Sequence, residues 1–497
     1  MPLSSRERRK MIKSIEASPL YPIVNPKSIA IFGASNNINV MGTNQLLSIL
    51  SLGYEGMVYP VHPREGRIQN LTAYTSVMDL PEIPDLALMI LPTDIVPQVL
   101  EECGRKGIRH AIIVSGGFKE VGGRGIDLED RLVKIAATYG IRFLGPNCIG
   151  VANPHRKLNV TFLEDNSKPG FIGMASQSGS FITQMFDYLS KFGLGFSAGI
   201  SVGNEANIDL VDCLEYLAHC PHTKVIALYI ESIRRGSEFI KIARSIVTRK
   251  PIVAYYAGGS EAGKRASFSH TGALAGSDHL YNGVFRQTGV IRANSIAELF
   301  DCCWVLGTCP IPGGNRIIVQ THSGGPGAAA ADACSRLGLD LPQLSKKTHK
   351  KLAAFVPRTA SVNNPVDLTF SKNPLDYFSK IPQILLEDPG ADGLLIYYLM
   401  PTQTITRALE SMGSSADQLP QQIDKLTEDV CNSVLNLRHN QSKPFIGYSF
   451  RSRADLFIQK LQDKGMPVLP GPERAARAMQ ALVQYMRLRE KLSQKCI

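Results

Sequence analysis

The chain has 497 residues, of which 44% are hydrophobic and 20% are charged, and this composition excludes a disordered chain. At about 150 residues per domain, the length predicts about three domains. The formal net charge of +11 favours anionic partners, but the dense basic runs are not interleaved with aromatic residues, which argues against a nucleic-acid-binding surface.

The first part of the chain predicts a Rossmann-type α/β domain. Short apolar runs alternate with helical patterns, as they do in a parallel sheet covered by helices. The five predicted strands are 29–32, 57–61, 86–90, 111–114 and 141–144. We place this domain at residues 20–155 and expect a polar, irregular connection within 153–169.

Two further α/β units follow, and they open alike. Each begins with a strand, then a Ser-Gly turn, then a helix of small residues that ends in glycine. Ser178 and Gly193 are 15 residues apart, as are Ser323 and Gly338. The equal spacing predicts two related flavodoxin-like domains, with a chance likeness as the alternative. We place them at residues 165–307 and 314–490, on either side of a Pro- and Gly-rich linker.

The turn after the first strand and the end of the second strand predict a phosphate-rich ligand. Small residues at 33–35 let backbone N–H groups approach a phosphate. The second strand is followed by Arg64, where a dinucleotide-binding domain would present an acidic residue to the ribose. An arginine suits a phosphorylated ribose or a pyrophosphate instead, so a dinucleotide oxidoreductase is disfavoured. A turn without any ligand remains the alternative.

Polar residues also follow later strands. Asn147 and Cys148 come after the fifth strand, at the sheet edge where ligands bind, and could orient a carbonyl or thiol or simply form a turn. Ser178 and Ser323 each open a helix and could cradle an oxyanion or a phosphate. Neither sequence is G-x-S-x-G, so a serine hydrolase is not supported.

The loop at 258–276 is rich in small residues and contains a single histidine, His270. A lone histidine is usually structural, but this one lies among serines, a threonine and glycines rather than on an apolar face. Neutral imidazole is a competent nucleophile, so His270 could accept a phosphoryl group. Glu231 follows the strand Val225–Ile230 and could hold the imidazole in one tautomer. An ion pair of Glu231 with Arg234 or Arg235 is the alternative.

The ten cysteines show no spacing typical of zinc ligands or of a disulfide framework, which predicts reduced thiols and a cytoplasmic location. No uninterrupted apolar run reaches about 18 residues, so no membrane span is expected. The basic N-terminus lacks the apolar segment of a secretory signal, and Glu7 and Glu16 interrupt any mitochondrial-type leader.

Taken together, the motifs resemble the nucleoside-diphosphate-forming acyl-CoA synthetases, relatives of succinyl-CoA synthetase, over roughly residues 25–471. The motifs that carry the resemblance occur in the order Gly33-Ala34-Ser35, Gly145-Pro146-Asn147, Ser176-Gln177-Ser178-Gly179, Ser269-His270-Thr271-Gly272-Ala273-Leu274-Ala275-Gly276 and Asn364-Pro365-Val366-Asp367-Leu368. The resemblance implies an α/β chain with an N-terminal Rossmann-type CoA-binding domain and two flavodoxin-like domains.

The resemblance also implies a role for individual residues. His270 would be phosphorylated during turnover, with support from Glu231. The residues implied to surround CoA are Gly33, Ala34, Ser35, Val61, Pro63, Arg64 and Asn147. The residues implied to hold phosphate are Ser178, Gly179, Ser323, Gly324 and Gly325. No metal ligand is expected in this chain.

The implied activity is that of an acid–thiol ligase α subunit, which interconverts acyl-CoA, phosphate and ADP or GDP with a small carboxylic acid, CoA and ATP or GTP. The reaction passes through an acyl phosphate and a phosphohistidine. Because three domains leave no stretch for an ATP-grasp domain, the nucleotide and Mg²⁺ are expected on a separate ATP-grasp β subunit, in an α2β2 assembly. Neither nucleic acid nor a membrane is expected as a partner.

The alternative is a non-catalytic CoA- or acyl-CoA-binding protein of the same fold. The family often has a lysine and an arginine just before the histidine loop, where this chain has Tyr256 and Gly259. In that alternative these two residues would be signs of lost activity.

Overall fold

A computed structural model describes residues 15–162, 168–260, 262–263, 276–356, 360–368 and 373–494. The chain divides into two units, Met1–Ser295 and Ile296–Ile497, and each is described by itself below. Within the described residues, no helix combines the length and the apolar character that crossing a lipid bilayer requires.

The first unit begins with a five-stranded parallel sheet, in which the strands are β1 Ser28–Phe32, β2 Met57–Val61, β5 Leu86–Met89, β6 His110–Ile113 and β7 Arg142–Leu144. A separate hairpin is formed by β3 Arg67–Ile68 and β4 Leu71–Thr72. The helices are α1 Tyr21–Val24, α2 Met41–Ser51, α3 Val96–Lys106 and α4 Arg124–Tyr139, with short 3-10 helices at Val77–Asp79 and Lys119–Val121. Most positions of these strands are buried, as in a parallel sheet covered on both faces, which explains their apolar runs. The five predicted strands are confirmed.

The order of this sheet is β2-β1-β5-β6-β7. The chain runs outward in opposite directions from β1 and β5, so the carboxyl ends of these two strands form a topological switch point where ligands bind. Gly33 follows β1 with φ +95°, and a Cβ there would lie 1.9 Å from the carbonyl oxygen of Ile90. Only glycine fits this turn, which lies at the switch point.

The second sheet of the first unit has seven strands in the order β14-β13-β12-β10-β11-β8-β9. The strands are β8 Val151–Asn153, β9 Leu158–Asn159, β10 Ile172–Ser176, β11 Phe196–Ser201, β12 Val225–Ile230, β13 Ile252–Tyr256 and β14 Ile291–Ala293. The helices are α5 Gly179–Ser190, α6 Leu210–His219, α7 Gly236–Ile246 and α8 Asp278–Thr288. Strands β10 to β14 are parallel, whereas β8 pairs antiparallel with β11 and β9 antiparallel with β8.

The connection at 153–169 was expected to be irregular, and this expectation is wrong for its first part. Asn153 ends β8, a 3-10 helix follows at Pro154–Arg156, and β9 comes next. Leu158 and Val160 are fully buried, so this segment adds an edge to the second sheet. Strands of two or three residues are too short to give a sequence periodicity, which is why the pattern did not predict them.

The second unit is built on the parallel sheet β16-β15-β17-β18-β19. The strands are β15 Ile317–Thr321, β16 Val366–Asp367, β17 Gly393–Tyr397, β18 Phe445–Ser449 and β19 Val468–Pro470. The helices are α9 Ile296–Thr308, α10 Gly324–Arg336, α11 Lys346–Leu352, α12 Lys380–Leu386, α13 Thr402–Ser411, α14 Leu419–His439, α15 Leu456–Asp463 and α16 Pro472–Gln494, with a 3-10 helix at Pro374–Phe378.

Helix α9 packs against α16 within this unit. Arg474 makes a two-point ion pair with Asp301, with N–O distances of 2.6 and 2.7 Å. Arg477 binds Glu298 at 2.5 Å. The sequence analysis placed helix α9 in the second predicted domain, which ends at residue 307. In the structure the second unit begins at residue 296, so this helix belongs to the second unit. The predicted domain limits themselves stay predictions.

The second and third sheets open in the same way. Their parallel strands follow the same order, β11-β10-β12-β13-β14 and β16-β15-β17-β18-β19. In both, the hydroxyl of the last strand residue, Ser176 or Thr321, donates to the serine carbonyl two residues later at 2.7 Å and accepts from its N–H at 3.1 Å. This shared geometry supports the prediction of two related flavodoxin-like domains.

Candidate active site

The structure brings the turn after β1 and the loop after β2 side by side. Asn36 donates from its side chain to Glu65 Oε2 at 2.6 Å and to the Arg67 carbonyl at 2.9 Å. Ser35 is held from the other side, because its N–H donates to Thr43 Oγ1 at 3.0 Å and its carbonyl accepts from that hydroxyl at 2.9 Å. Residues 33–35 and 61–64, predicted separately from sequence, therefore belong to neighbouring loops.

Within these loops the side chains have different exposure. Ala34 and Val61 are buried, whereas Pro63 and Arg64 are exposed. His62 Nδ1 accepts from the backbone N–H of Arg64 at 3.3 Å and so helps to fix the loop. Among the residues that the structure describes, the Arg64 guanidinium makes no ion pair, which leaves its charge available to an anion.

A cleft of about 520 Å³ opens at the carboxyl ends of β5, β6 and β7. It is lined by Met41, Ile90, Leu91, Pro92, Val114, Ser115, Gly116, Asn147, Cys148, Ile149, Phe162, Gly179 and Ser180. Asn147 comes from the first predicted domain and Gly179 from the second. The cleft thus unites one predicted CoA-binding residue with one predicted phosphate-binding residue.

The thiol of Cys148 lines this cleft without being reactive. Its Sγ lies 3.4 Å from the carbonyl oxygen of Ile113, to which it donates. Burial raises the pKa of Cys148 to about 12. The thiol is therefore neutral near pH 7 and is not a nucleophile.

Asn147 belongs to a polar network that sequence reasoning missed. It adopts the left-handed conformation with φ +57°, and its N–H donates to the Ser115 carbonyl at 2.9 Å. Its side chain donates to Asn204 Oδ1 at 3.3 Å, and Asn204 in turn donates to Glu120 Oε2 at 2.5 Å and Glu129 Oε2 at 2.9 Å. These residues are 57 to 84 positions apart in sequence, so no local pattern signals the network.

The predicted phosphate site at the start of α5 has the features of an anion-binding helix end. Ser178 is the N-cap residue, and the first turn of α5 carries no acidic residue. The helix dipole is therefore not neutralised there. A Cβ at Gly179 would lie 2.6 Å from Ile149 Cγ1, so a glycine is needed for α5 to begin against the wall of the cleft.

Glu231 lies at the same edge of the sheet as Ser178, because β10 and β12 are adjacent parallel strands. Glu231 is only 4% exposed. The two arginines named as its alternative partners are engaged elsewhere: Arg235 pairs with Asp209, and Arg234 donates to the Glu205 carbonyl at 3.0 Å.

Gln177, between the two strand ends, connects them. Its Oε1 accepts from the N–H of Glu231 at 2.5 Å and of Ser232 at 2.9 Å. Its Nε2 donates to the Ser232 carbonyl and to Glu205 Oε2, both at 2.8 Å. Gln177 stood in a motif used for the resemblance, but its spacing from Glu231 gave no sign of this contact.

The predicted phosphoryl acceptor, His270, lies outside the described residues. Tyr256 and Gly259, which precede His270 in the sequence, are described. The Tyr256 hydroxyl donates to the Gly276 carbonyl at 2.8 Å, and a Cβ at Gly259 would lie 2.4 Å from Asp278 Oδ1. Asp278 is held by Arg292, which keeps the pKa of that carboxyl low. Tyr256 and Gly259 therefore both make close contacts within the described part of the fold.

In the second unit, Ser323, Gly324 and Gly325 open α10 as predicted, and the first turn of the helix carries no acidic residue. A Cβ at Gly324 would lie 3.5 Å from Asp367 Oδ2, so a carboxylate stands near this helix end. A negative charge at this place competes with a bound anion. Of the two predicted phosphate cradles, the start of α5 offers the more favourable surroundings.

Among the residues within the described ranges, no three of His, Cys, Asp and Glu are placed to hold a metal ion.

Comparison with known proteins gives the family. Residues 27–154 match the CoA binding domain, residues 169–306 the succinyl-CoA ligase like flavodoxin domain, and residues 317–416 the Ligase-CoA domain. The chain is 39% identical over 461 residues to the acetate–CoA ligase (ADP-forming) II subunit alpha of Pyrococcus furiosus, across 93% of this chain and 96% of that relative. The chain belongs to the ADP-forming acetate–CoA ligase α-subunit family.

Two further relatives extend the family comparison. The acetate–CoA ligase (ADP-forming) I of Archaeoglobus fulgidus is 37% identical across 94% of this chain, but the match covers 64% of that longer protein. The solved structure of a dinucleotide-forming acetyl-coenzyme A synthetase 1 of Candidatus Korarchaeum cryptofilum, in complex with phosphate and ADP, is 33% identical, with a TM-score of 0.85, across 96% of this chain and 99% of that one. The resemblance that the motifs indicated, and the fold class, are confirmed.

Proposed function

We propose that the chain is the α subunit of an ADP-forming acid–CoA ligase, which interconverts acyl-CoA, phosphate and ADP or GDP with a carboxylic acid, CoA and ATP or GTP. The observation that carries the proposal is the cleft shared by Asn147 and Gly179. It is bordered by the domain that belongs to a CoA-binding family and by a helix end suited to phosphate. A reaction between a CoA thioester and phosphate needs such a shared space.

In the proposed sequence of steps, phosphate held at the start of α5 attacks the thioester carbonyl in the cleft. The carbon–sulfur bond breaks, which gives an acyl phosphate and the free thiol. The imidazole of His270 then takes the phosphoryl group and releases the carboxylate of the acid. In the last step the phosphoryl group passes to ADP or GDP, which restores the neutral imidazole.

Different residues of this chain would bind CoA, bind phosphate and orient the imidazole. Gly33, Ala34, Ser35, Val61, Pro63 and Arg64 would surround the nucleotide and phosphates of CoA, with Asn147 nearer the cleft. Ser178 and Gly179 would hold phosphate, and Ser323, Gly324 and Gly325 would form a second cradle. The carboxylate of Glu231 would hold one nitrogen of the imidazole, so that the other faces the phosphoryl group.

We also propose an ATP-grasp β subunit as the partner, in an α2β2 assembly. The match to the Archaeoglobus fulgidus relative leaves about a third of that protein outside it, which supports a second polypeptide for the remaining part. Mg²⁺ bound with the nucleotide on that partner would neutralise phosphate charge. The nine cysteines in the described part of the chain are free thiols, which is in keeping with a reducing, cytoplasmic location.

The test is phosphorylation of His270. The chain is incubated with its β subunit and ATP labelled in the γ-phosphate, and acid-labile, base-stable label on the chain is measured. His270→Ala should abolish this label, whereas His439→Ala, at an exposed position on α14, should leave it unchanged. A wild-type chain that takes up no such label under turnover conditions would refute the proposed function.

A further inference from the structure

Four hydrogen bonds fix the orientation of the Gln177 amide. Its oxygen accepts from two backbone N–H groups of the segment after β12, and its nitrogen donates to the Ser232 carbonyl and to Glu205 Oε2. A flipped amide would place donors against donors, so the four partners permit only one orientation. Three of the four bonds go to backbone groups of Glu231 and Ser232, and the fourth goes to Glu205.

Two features of Glu205, its burial and its backbone conformation, are energetically unfavourable. It is 6% exposed and adopts the left-handed conformation with φ +55°, which a residue with a side chain rarely takes. Its Oε1 accepts from the N–H of Leu210, the first residue of α6, at 2.9 Å. A buried carboxylate in an unfavourable backbone conformation points to a requirement for its charge or its contacts.

Both oxygens of Glu205 therefore accept a hydrogen bond, one from Gln177 and one from α6. A proton on either oxygen weakens one of these two bonds, because the protonated oxygen is the poorer acceptor. The ionised carboxylate is the form that holds Gln177 firmly.

We propose that Glu205 is a positioning residue for the phosphorylation of His270, because through the amide of Gln177 it fixes the backbone that carries Glu231. This inference rests on the proposed function. In this proposal Glu205 acts through Gln177 and the segment after β12 rather than by direct contact with substrate.

The position of Glu205 makes this support dependent on pH. Burial raises the pKa of Glu205 to about 7, although the hydrogen bonds from Gln177 and Leu210 and the charge of Arg234 lower it. The described charged or titratable groups that face it are Arg234 at 3.9 Å in the segment after β12, Asp209 and Cys213 at the start of and on α6, and Tyr281 on α8. We expect Glu205 to ionise across neutral pH and the segment after β12 to become firmer as it does.

The experiment compares the wild-type chain with Glu205→Gln, each in complex with the β subunit, between pH 6 and pH 8. The amide has one acceptor oxygen and can satisfy only one of the two donors. The rate of label uptake on His270 should rise with a midpoint near pH 7 in the wild type. Glu205→Gln should lose this midpoint and be at least about tenfold slower at pH 8, because a small misplacement of a catalytic group is costly. Glu238→Gln, an exposed carboxylate on α7, is the matched control and should behave as wild type.

A second measurement is hydrogen exchange of the backbone amides of Glu231 and Ser232. Glu205→Gln should speed their exchange relative to wild type, and by a larger factor at pH 8 than at pH 6, whereas Glu238→Gln should not. A merely structural role would slow label uptake equally at every pH and leave the midpoint in place, and this result would overturn the inference.

The two proposals fail in different ways. If the wild type takes up no label at any pH, the proposed function is wrong, and the exchange rates still decide whether Glu205 holds residues 231 and 232. If the wild type is labelled but Glu205→Gln keeps the wild-type rate and midpoint, the positioning role alone is wrong.

Discussion

Single residues at the carboxyl ends of strands carry most of the site, and what they do depends on their exposure. Arg64 is exposed in the loop after β2, whereas Glu231 and Glu205 are buried. An exposed cation can be changed without loss of folding, because water solvates whatever replaces it. Arg64 is therefore the residue at which binding can be tested separately from stability.

Reversal of the charge at Arg64 should weaken CoA binding. We expect Arg64→Glu to raise the dissociation constant by about tenfold at low salt, since a favourable phosphate contact becomes a repulsive one. The difference should shrink as ionic strength rises. Arg131→Glu, an exposed arginine on α4, changes the net charge equally and should leave the constant nearly unchanged. Calorimetric titration with CoA measures both, and equal effects of the two variants would remove the role assigned to Arg64.

Much of the site at this scale was accessible from sequence, because Ser178 and Glu231 each follow an apolar run that becomes a strand. The contacts between these strand-end residues could not be predicted from the sequence. Gln177 and Glu231 are 54 residues apart, and Asn204 and Glu120 are 84 apart. Such pairs meet only because β10 and β12, or two strand-end loops, are neighbours in space, and one sequence contains no periodicity that reports this.

At the scale of elements, α5 and α10 are two versions of one opening with different surroundings. Both begin after a Ser-Gly turn and lack an acidic residue in the first turn. Among the described residues, the carboxylate of Asp367 lies close to the first glycine of α10, whereas the nearest atoms to the first glycine of α5 are those of Ile149. The start of α5 combines an unneutralised helix dipole with a cleft. A negative charge placed there should therefore stabilise the helix but oppose the binding of phosphate.

Ser180→Asp tests this opposition. Ser180 is an exposed residue in the first turn of α5, and a negative charge there should raise the free energy of unfolding by about 0.5 kcal/mol through the helix dipole. The same charge should repel phosphate and slow labelling of His270 by at least about tenfold. Ser180→Asn is the neutral control and should change neither quantity much. Chemical unfolding and label uptake measure the two effects; faster labelling in Ser180→Asp would contradict an anion site at this helix end.

At the scale of the whole molecule, one strand order recurs in the three large sheets of the described part of the chain, when only the parallel strands of the second are counted. The alternation of strands and helices in the sequence predicted this α/β class well. It did not predict β8 and β9 at the edge of the second sheet, nor the packing of α9 on α16. Short edge strands and the partner chosen by an apolar helix depend on tertiary contacts rather than on local pattern.

A global consequence of the buried Glu205 is a pH-dependent stability. The folded chain holds its proton up to about pH 7, whereas the ordinary pKa of a glutamate is 4.5. Between these values the folded state binds a proton that the unfolded state has released, so the contribution of this group to stability is full below 4.5 and is lost as pH rises through 7. Glu205→Gln should therefore show a flatter stability between pH 5 and pH 8 than wild type. Chemical unfolding across this range measures it, and an unchanged slope would contradict the raised pKa.

The packing of α9 has a practical consequence for dissection of the protein into parts. Leu299, Phe300 and Trp304 of this helix are buried within the second unit. A fragment that ends at residue 307, where the sequence suggests a natural cut, would carry these three side chains away from α16 and expose them to water. A fragment that ends at residue 295 would leave them with the helix that covers them. When the two parts are expressed separately, the boundary should therefore be placed before this helix. It should not be placed in the proline- and glycine-rich stretch that follows the helix.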